Sequence, residues 1–270
     1  MQKTLTPAER LIVAADIKPI SYEELKSIEP LKIIFSKDCH ERPYRGLMRE
    51  YVRWKVLKLA DSLKGTGVYF KVNSALRACG YDLIGEIQSR GLRVFADLKL
   101  VDIGKTLSTD GILICEAKPE LLTVMCVAGL TAVQALKVKL PDTEVLGVTV
   151  LTGLQEADAQ AMYGCSIEEA VMRFAEVAAE VGIDGLISSP KQATKLRAKF
   201  GNLFTLNTPA IRPYWAIVLD DDQNPDEIMT PAKAIKAGAD RIVVGRPIVN
   251  AEKPYDAVMR TIDEIASATP

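Results

Sequence analysis

LRVFADLKLVD, residues 92–102, is the stretch on which the fold turns. Its aliphatic character predicts a β-strand over 92–100. Side chains alternate along a strand, so Phe95, Asp97 and Lys99 share one face, and Val94, Ala96, Leu98 and Leu100 share the other. The aliphatic face can pack under helices. The charged face must then point inward, where taking a charge out of water costs several kcal/mol. A strand that carries such a cost invites a functional explanation.

Seven further runs extend the pattern: LIVAAD (11–16), GVYFKV (67–72), ELLTVM (120–125), EVLGVTVL (144–151), DGLISS (184–189), NLFTLN (202–207) and DRIVVG (240–245). They are mostly β-branched or aliphatic, without polar alternation. That suits strands of a parallel sheet covered on both faces. Helical periodicity fills the gaps. In IEEAVMRFAEVAAEVG (167–182), Gly182 is the expected C-terminal cap. In TPAKAIKAGAD (230–240), Thr230 is the expected N-cap, with Pro231 at the first helical position. Eight strands, each followed by helix, predict an α/β protein of the (β/α)8 TIM-barrel class, read as one catalytic domain over 1–270. An open doubly wound sheet is the alternative, but no GxGxxG follows the first strand.

The span between Asp16 and Lys71 holds more chain than one helix needs. SKDCHERPYRGLMREYVRWKVLKLADSLKG (36–65) reads as a helical insertion between strands 1 and 2. Tyr44, Leu47, Met48, Tyr51 and Leu59 can form one apolar stripe on it. The plain reading is a helix packed on the barrel wall, and the sharper one is an added subunit contact.

Composition narrows the function. The 270 residues are 48% hydrophobic and 26% charged, as in an ordinary globular chain. With 34 basic and 35 acidic residues the net charge is −1, so nothing draws the whole chain to nucleic acid or to an anionic membrane. MQKTLTPAER has no apolar signal region, and the uncharged run 121–136 is too short and polar to span a bilayer. A cytoplasmic protein is expected. The five cysteines form no CxxC pair and read as core filler. His40 is the only histidine, so acid–base chemistry falls to Lys, Asp or Glu, and no metal is expected.

In such a barrel the active site lies at the C-terminal strand ends. Asp16, Lys71, Asp97, Lys99 and, just beyond the strand, Asp102 are expected to converge there, fixing one lysine against two carboxylates. The plain alternative is a structural ion-pair cluster closing the barrel. On the opposite rim RIVVGRPI offers Gly245 and Arg246 for a phosphate, helped by a helix start near Ala251. The long segment 209–229 reads either as a lid from which Gln223 could reach a ligand or as an ordinary solvated loop.

These residues together resemble the orotidine 5′-monophosphate decarboxylase family. The resemblance rests on LIVAAD, FKV, FADLKLVDIGKT (95–106), VTVLTG (148–153), LISS, PAIRP (209–213), DDQ (221–223) and VVGRPI. It implies a cofactor-free decarboxylation of orotidine 5′-monophosphate to UMP. Lys99 would protonate C6, with Asp97 beside the departing carboxylate and Asp16 and Lys71 on the ribose. Ser189 would contact the pyrimidine ring edge, Pro209 would stand at the start of the lid, and Gln223, Gly245 and Arg246 would bind the phosphate. Asp102 and Thr106 would reach into the partner's site, making a homodimer with shared active sites. Three departures stand out: Asn73 and Ala210 where the family commonly has Gly, and Met125 where many members have His. The nearest rival is a magnesium-dependent sugar-phosphate enzyme sharing D-x-K-x-x-D. A non-catalytic nucleotide-binding barrel is the alternative of a different class.

Overall fold

A computed structural model describes residues 4–28, 45–216 and 229–268. The eight strands are β1 (Leu11–Ala14), β2 (Tyr69–Val72), β3 (Arg93–Leu100), β4 (Leu121–Met125), β5 (Glu144–Val148), β6 (Gly185–Ile187), β7 (Thr205–Thr208) and β8 (Arg241–Val244). They close in sequence order into a barrel, every pairing parallel. Val13 pairs with Phe70 on one side and with Val244 on the other, so the sheet has no free edge. The open-sheet alternative is thereby removed. Seven of the expected runs contain their strands, and every strand is shorter than its run. The seventh is displaced toward Thr208, because Leu203 stays exposed at the turn before it.

Two apolar cores result from the pleat. Ile12, Ala14, Tyr69, Phe95, Leu121, Leu146 and Val243 fill the barrel. The opposite strand faces, among them Val94, Ala96 and Leu98, pack under the helices. The helix Ile167–Val181 starts at Ser166, whose hydroxyl accepts from the Glu169 amide at 3.2 Å, and stops at Gly182 with φ +76°. Thr230 caps the helix Pro231–Lys236 as expected. Cys126 and Cys165 are buried, and burial pushes the Cys126 thiol up to about 12. Among the described residues no helix is long and apolar enough to cross a membrane.

The helix Arg45–Ser62 is present between β1 and β2. Leu47, Tyr51 and Leu59 bury into the outer core and Met48 packs against it, so this stripe lies on the barrel wall. Tyr44, His40 and the rest of 29–44 lie outside the described residues.

β3 departs from simple pleating. Ala96 pairs with Leu122, but the next pair is Leu100 with Val124, so β3 carries surplus residues between these points. Such a bulge re-aims side chains. Within it Lys99 has φ +50°, a left-handed backbone rare outside glycine.

The barrel floor is polar and closed. The Arg241 guanidinium, 3% exposed, donates to both Glu144 oxygens at 2.8 Å and to Asn207 Oδ1 at 3.3 Å. It also lies over the Tyr69 ring, 5.0 Å from the centroid. Conserving such a group at this end serves stability rather than chemistry. Arg241→Leu strands the Glu144 charge and should cost about 3 kcal/mol in urea unfolding. The double variant Arg241→Leu/Glu144→Leu should recover most of that loss. Equal destabilisation by single and double variants would contradict this account.

Candidate active site

At the other end of the barrel the strand C-termini surround a cavity of about 700 Å³. Four charged side chains line one wall: Asp16 after β1, Lys71 from β2, and Asp97 and Lys99 from β3. They form a chain of contacts. Lys71 Nζ lies 3.2 Å from Asp16 Oδ1 and 3.1 Å from Asp97 Oδ2, and Lys99 Nζ lies 2.7 Å from Asp97 Oδ1. Asp97 and Lys71 are buried, 6% and 7% exposed. The Lys99 side chain is 30% exposed and that of Asp16 65%, so both open toward the cavity mouth.

Burial pushes the Asp97 carboxyl up, but the ammonium groups of Lys71 and Lys99 outweigh it and hold the carboxyl below its usual range. Asp97 is therefore an anion at neutral pH. The lysine held between two carboxylates is Lys71, whereas Lys99 contacts Asp97 alone among the described carboxylates. That leaves the Lys99 ammonium with donors to spare for a ligand.

Asp102 does not join this wall. It is exposed past the strand, its Oδ1 accepts from the Ile103 amide at 2.7 Å, and it sits before the helix Gly104–Ala117. A carboxylate is favoured there by the helix dipole. The expected five-charge cluster is thus a four-charge cluster. Thr106 is exposed on the first turn of the same helix.

Gly245, Arg246 and Pro209 line the cavity as expected. The helix start does not lie near Ala251: a four-residue helix, Arg246–Val249, begins directly after Gly245, and the next starts at Pro254. Pro247 falls in the first turn, where its missing N–H costs nothing. Ser189 lines a neighbouring cavity of about 490 Å³ behind Val150, Leu151 and Ala210 rather than the central one. It serves as N-cap residue of the helix Pro190–Phe200, without a side-chain cap bond. Gln223 lies outside the described residues.

The structure explains one departure and qualifies the others. Ala210 has φ +63°, so alanine here retains a glycine-type backbone. Asn73 lines the cavity, and its buried Oδ1 has no hydrogen-bond partner. Met125 is buried at the end of β4.

Three cleft residues escaped the sequence reading. Arg212 is buried and lines the cavity, and Thr152 lines it from the segment after β5. Thr123 lies behind the charged wall, where its hydroxyl donates to Asp97 Oδ1 at 3.0 Å and accepts from the Lys99 amide at 2.9 Å. The only signal was a hydroxyl breaking the apolar run of β4.

Known proteins are similar to this chain over most of its length. Residues 9–261 match the family described as Orotidine 5′-phosphate decarboxylase / HUMPS family. An orotidine 5′-phosphate decarboxylase of Afipia carboxidovorans is 37% identical over 213 residues, 78% of this chain and 89% of that protein. The one from Geobacter sp. (strain M21) is 35% identical over 249 residues, 87% and 96% of the two chains. The crystal structure of the Lactobacillus acidophilus orotidine 5′-phosphate decarboxylase superposes with a TM-score of 0.67 at 25% identity, over 95% of this chain and 99% of that one. A match this long, together with relatives this similar over most of their length, places the chain in the orotidine 5′-phosphate decarboxylase / HUMPS family.

Proposed function

We propose that this chain is a cytoplasmic carboxy-lyase of pyrimidine biosynthesis, converting orotidine 5′-monophosphate to UMP and carbon dioxide without a cofactor. The observation that carries the reading is the Asp97 carboxylate clamped between Lys71 and Lys99, with the Lys99 ammonium opening into the cavity. Curated relatives bearing that activity in their names support it.

The substrate carboxylate would be set near Asp97, whose like charge disfavours it. The bond from C6 to the carboxylate carbon breaks, carbon dioxide leaves, and the electron pair stays on C6. Lys99 stabilises that charge and transfers one ammonium proton to C6. The resulting amine regains a proton from water. Asp16 and Lys71 would hold ribose hydroxyls, Ser189 the pyrimidine edge, and Gly245, Arg246 and Gln223 the phosphate, with Pro209 at the start of the lid. Binding of the remote phosphate can then be spent on orienting C6.

Asp102 and Thr106 would complete the partner's site in a homodimer. Val101 and Ile103 flank Asp102 and are exposed, with Ile112 and Leu113 exposed on the following helix. That apolar surface beside outward-pointing polar residues suits a subunit contact.

The rival reading is a magnesium-dependent sugar-phosphate enzyme sharing D-x-K-x-x-D. Here both Asp97 oxygens are occupied by ammonium groups, which a divalent cation would have to displace. This favours the pyrimidine substrate.

Loss of orotidylate absorbance on adding purified protein tests the reading, and turnover should persist in EDTA. Abolition by chelation would transfer the chain to the sugar-phosphate branch. Lys99→Ala should lower kcat by roughly 10²–10⁴-fold while UMP still binds. Near-normal turnover would remove Lys99 from its role. Mixing inactive Lys99→Ala and Asp102→Ala proteins should restore about a quarter of wild-type activity, because symmetry leaves one intact site in each mixed dimer. Absence of recovery after subunit exchange would argue against shared sites.

A further inference from the structure

We infer that Thr123 is a positioning residue for the decarboxylation, fixing the Asp97 carboxylate and the Lys99 backbone through a single hydroxyl. This rests on the activity proposed above. Thr123 is fully buried in β4 between Leu122 and Val124. A valine would fill nearly the same space with equal preference for a strand. Burying a hydroxyl instead costs about 1–3 kcal/mol unless its bonds are made. Here both are made, and both lead to the catalytic strand.

The geometry fixes the direction of each bond. The Lys99 amide can only donate, so it uses a lone pair of Thr123 Oγ1 at 2.9 Å. The single hydroxyl hydrogen is then free for Asp97 Oδ1 at 3.0 Å. A chain from amide to hydroxyl to carboxylate is polarised in one sense and strengthens along its length.

Each end of the chain meets a need. The β3–β4 register slips between Ala96 and Leu100, so the Lys99 amide falls in the slip and takes a side-chain oxygen as its acceptor. Lys99 also holds a left-handed backbone, which costs about 1–2 kcal/mol for a residue other than glycine. Thr123 holds that kink and thereby sets where the Lys99 stem begins. At the other end, three donors reach Asp97: Lys71 from β2, Lys99 from β3 and Thr123 from β4. Asp16, after β1, faces it through Lys71. When Lys99 yields its proton to C6, its ammonium no longer steadies Asp97. The Thr123 bond persists through that moment and keeps the carboxylate in place.

The test compares Thr123→Val and Thr123→Ser with the wild type. Steady-state assays on orotidine 5′-monophosphate give kcat and KM. A 13C titration of aspartate-labelled protein, assigned with Asp97→Asn, follows the Asp97 carboxyl without reference to turnover. Thr123→Val should lower kcat by about 10–100-fold, the scale of a small misplacement of reacting groups. KM should move less than about threefold. The Asp97 carboxyl should titrate at higher pH in Thr123→Val, having lost a donor to its charged form. Thr123→Ser should return both kcat and the titration close to wild type.

Unchanged kcat with an unmoved Asp97 titration in Thr123→Val would overturn the inference. So would equal impairment of the Val and Ser variants, which marks a packing position. Should Thr123→Val not fold, Thr123→Cys, a much weaker donor of similar size, is read by the same criteria. A wild-type protein inactive on orotidylate would refute the proposed function alone, and the Asp97 titration would then decide this inference.

Discussion

An ionised carboxylate in a nearly dry place is the constraint around which the upper barrel is organised. Asp97 is almost wholly buried, and desolvation by itself would push its carboxyl up. Two ammonium groups reverse that outcome, and the Thr123 hydroxyl adds a hydrogen bond to the carboxylate. Their origins dictate which strands must carry polar residues: β2 supplies Lys71, β3 supplies Lys99 and β4 supplies Thr123. Were Asp97 neutral, Lys71 would be a buried cation left with a mostly exposed carboxylate as its counter-charge. The charges are therefore mutually dependent.

The same barrel holds a second buried ion pair at its floor, and the contrast separates structure from chemistry. Arg241 and Glu144 face each other through paired bonds, with an aromatic ring over the guanidinium. A guanidinium is always charged and its fork is matched to a carboxylate, so this pair has nothing left to exchange. At the top, Lys99 presents a compact ammonium with one carboxylate contact and access to a cavity. An ammonium can surrender a proton where a guanidinium does not. Residue type and openness, rather than burial, distinguish the two sites.

Much of this was legible in the linear chain. Apolar runs marked all eight strands, and local cap chemistry at Gly182 and Thr230 is as local in the structure as in the sequence. Asp97 and Lys99 stood out because strand pleating left them nowhere to go but inward. What escaped depends on relations between strands. The slip between β3 and β4 belongs to neither strand alone, so neither the kink at Lys99 nor the importance of Thr123 was visible. The outward turn of Asp102 and the seating of Ser189 in a side cavity follow from how helices start after β3 and β6. Periodicity does not report that geometry. Arg212, by contrast, stood in the quoted PAIRP motif, but only the fold shows it buried against the cleft.

Among the described residues other than glycine, Lys99, Lys118 and Ala210 have positive φ. Lys118 ends a helix, where that conformation is routine, while Lys99 and Ala210 both line the cleft. The backbone is thus least at ease around the cleft, and selection for durability there pulls against selection for a fixed cleft geometry. A library of this gene screened for heat tolerance alone would drift toward glycine at Ala210, where nothing is lost with the strain, but not at Lys99, whose removal would leave the buried Asp97 short of a counter-charge.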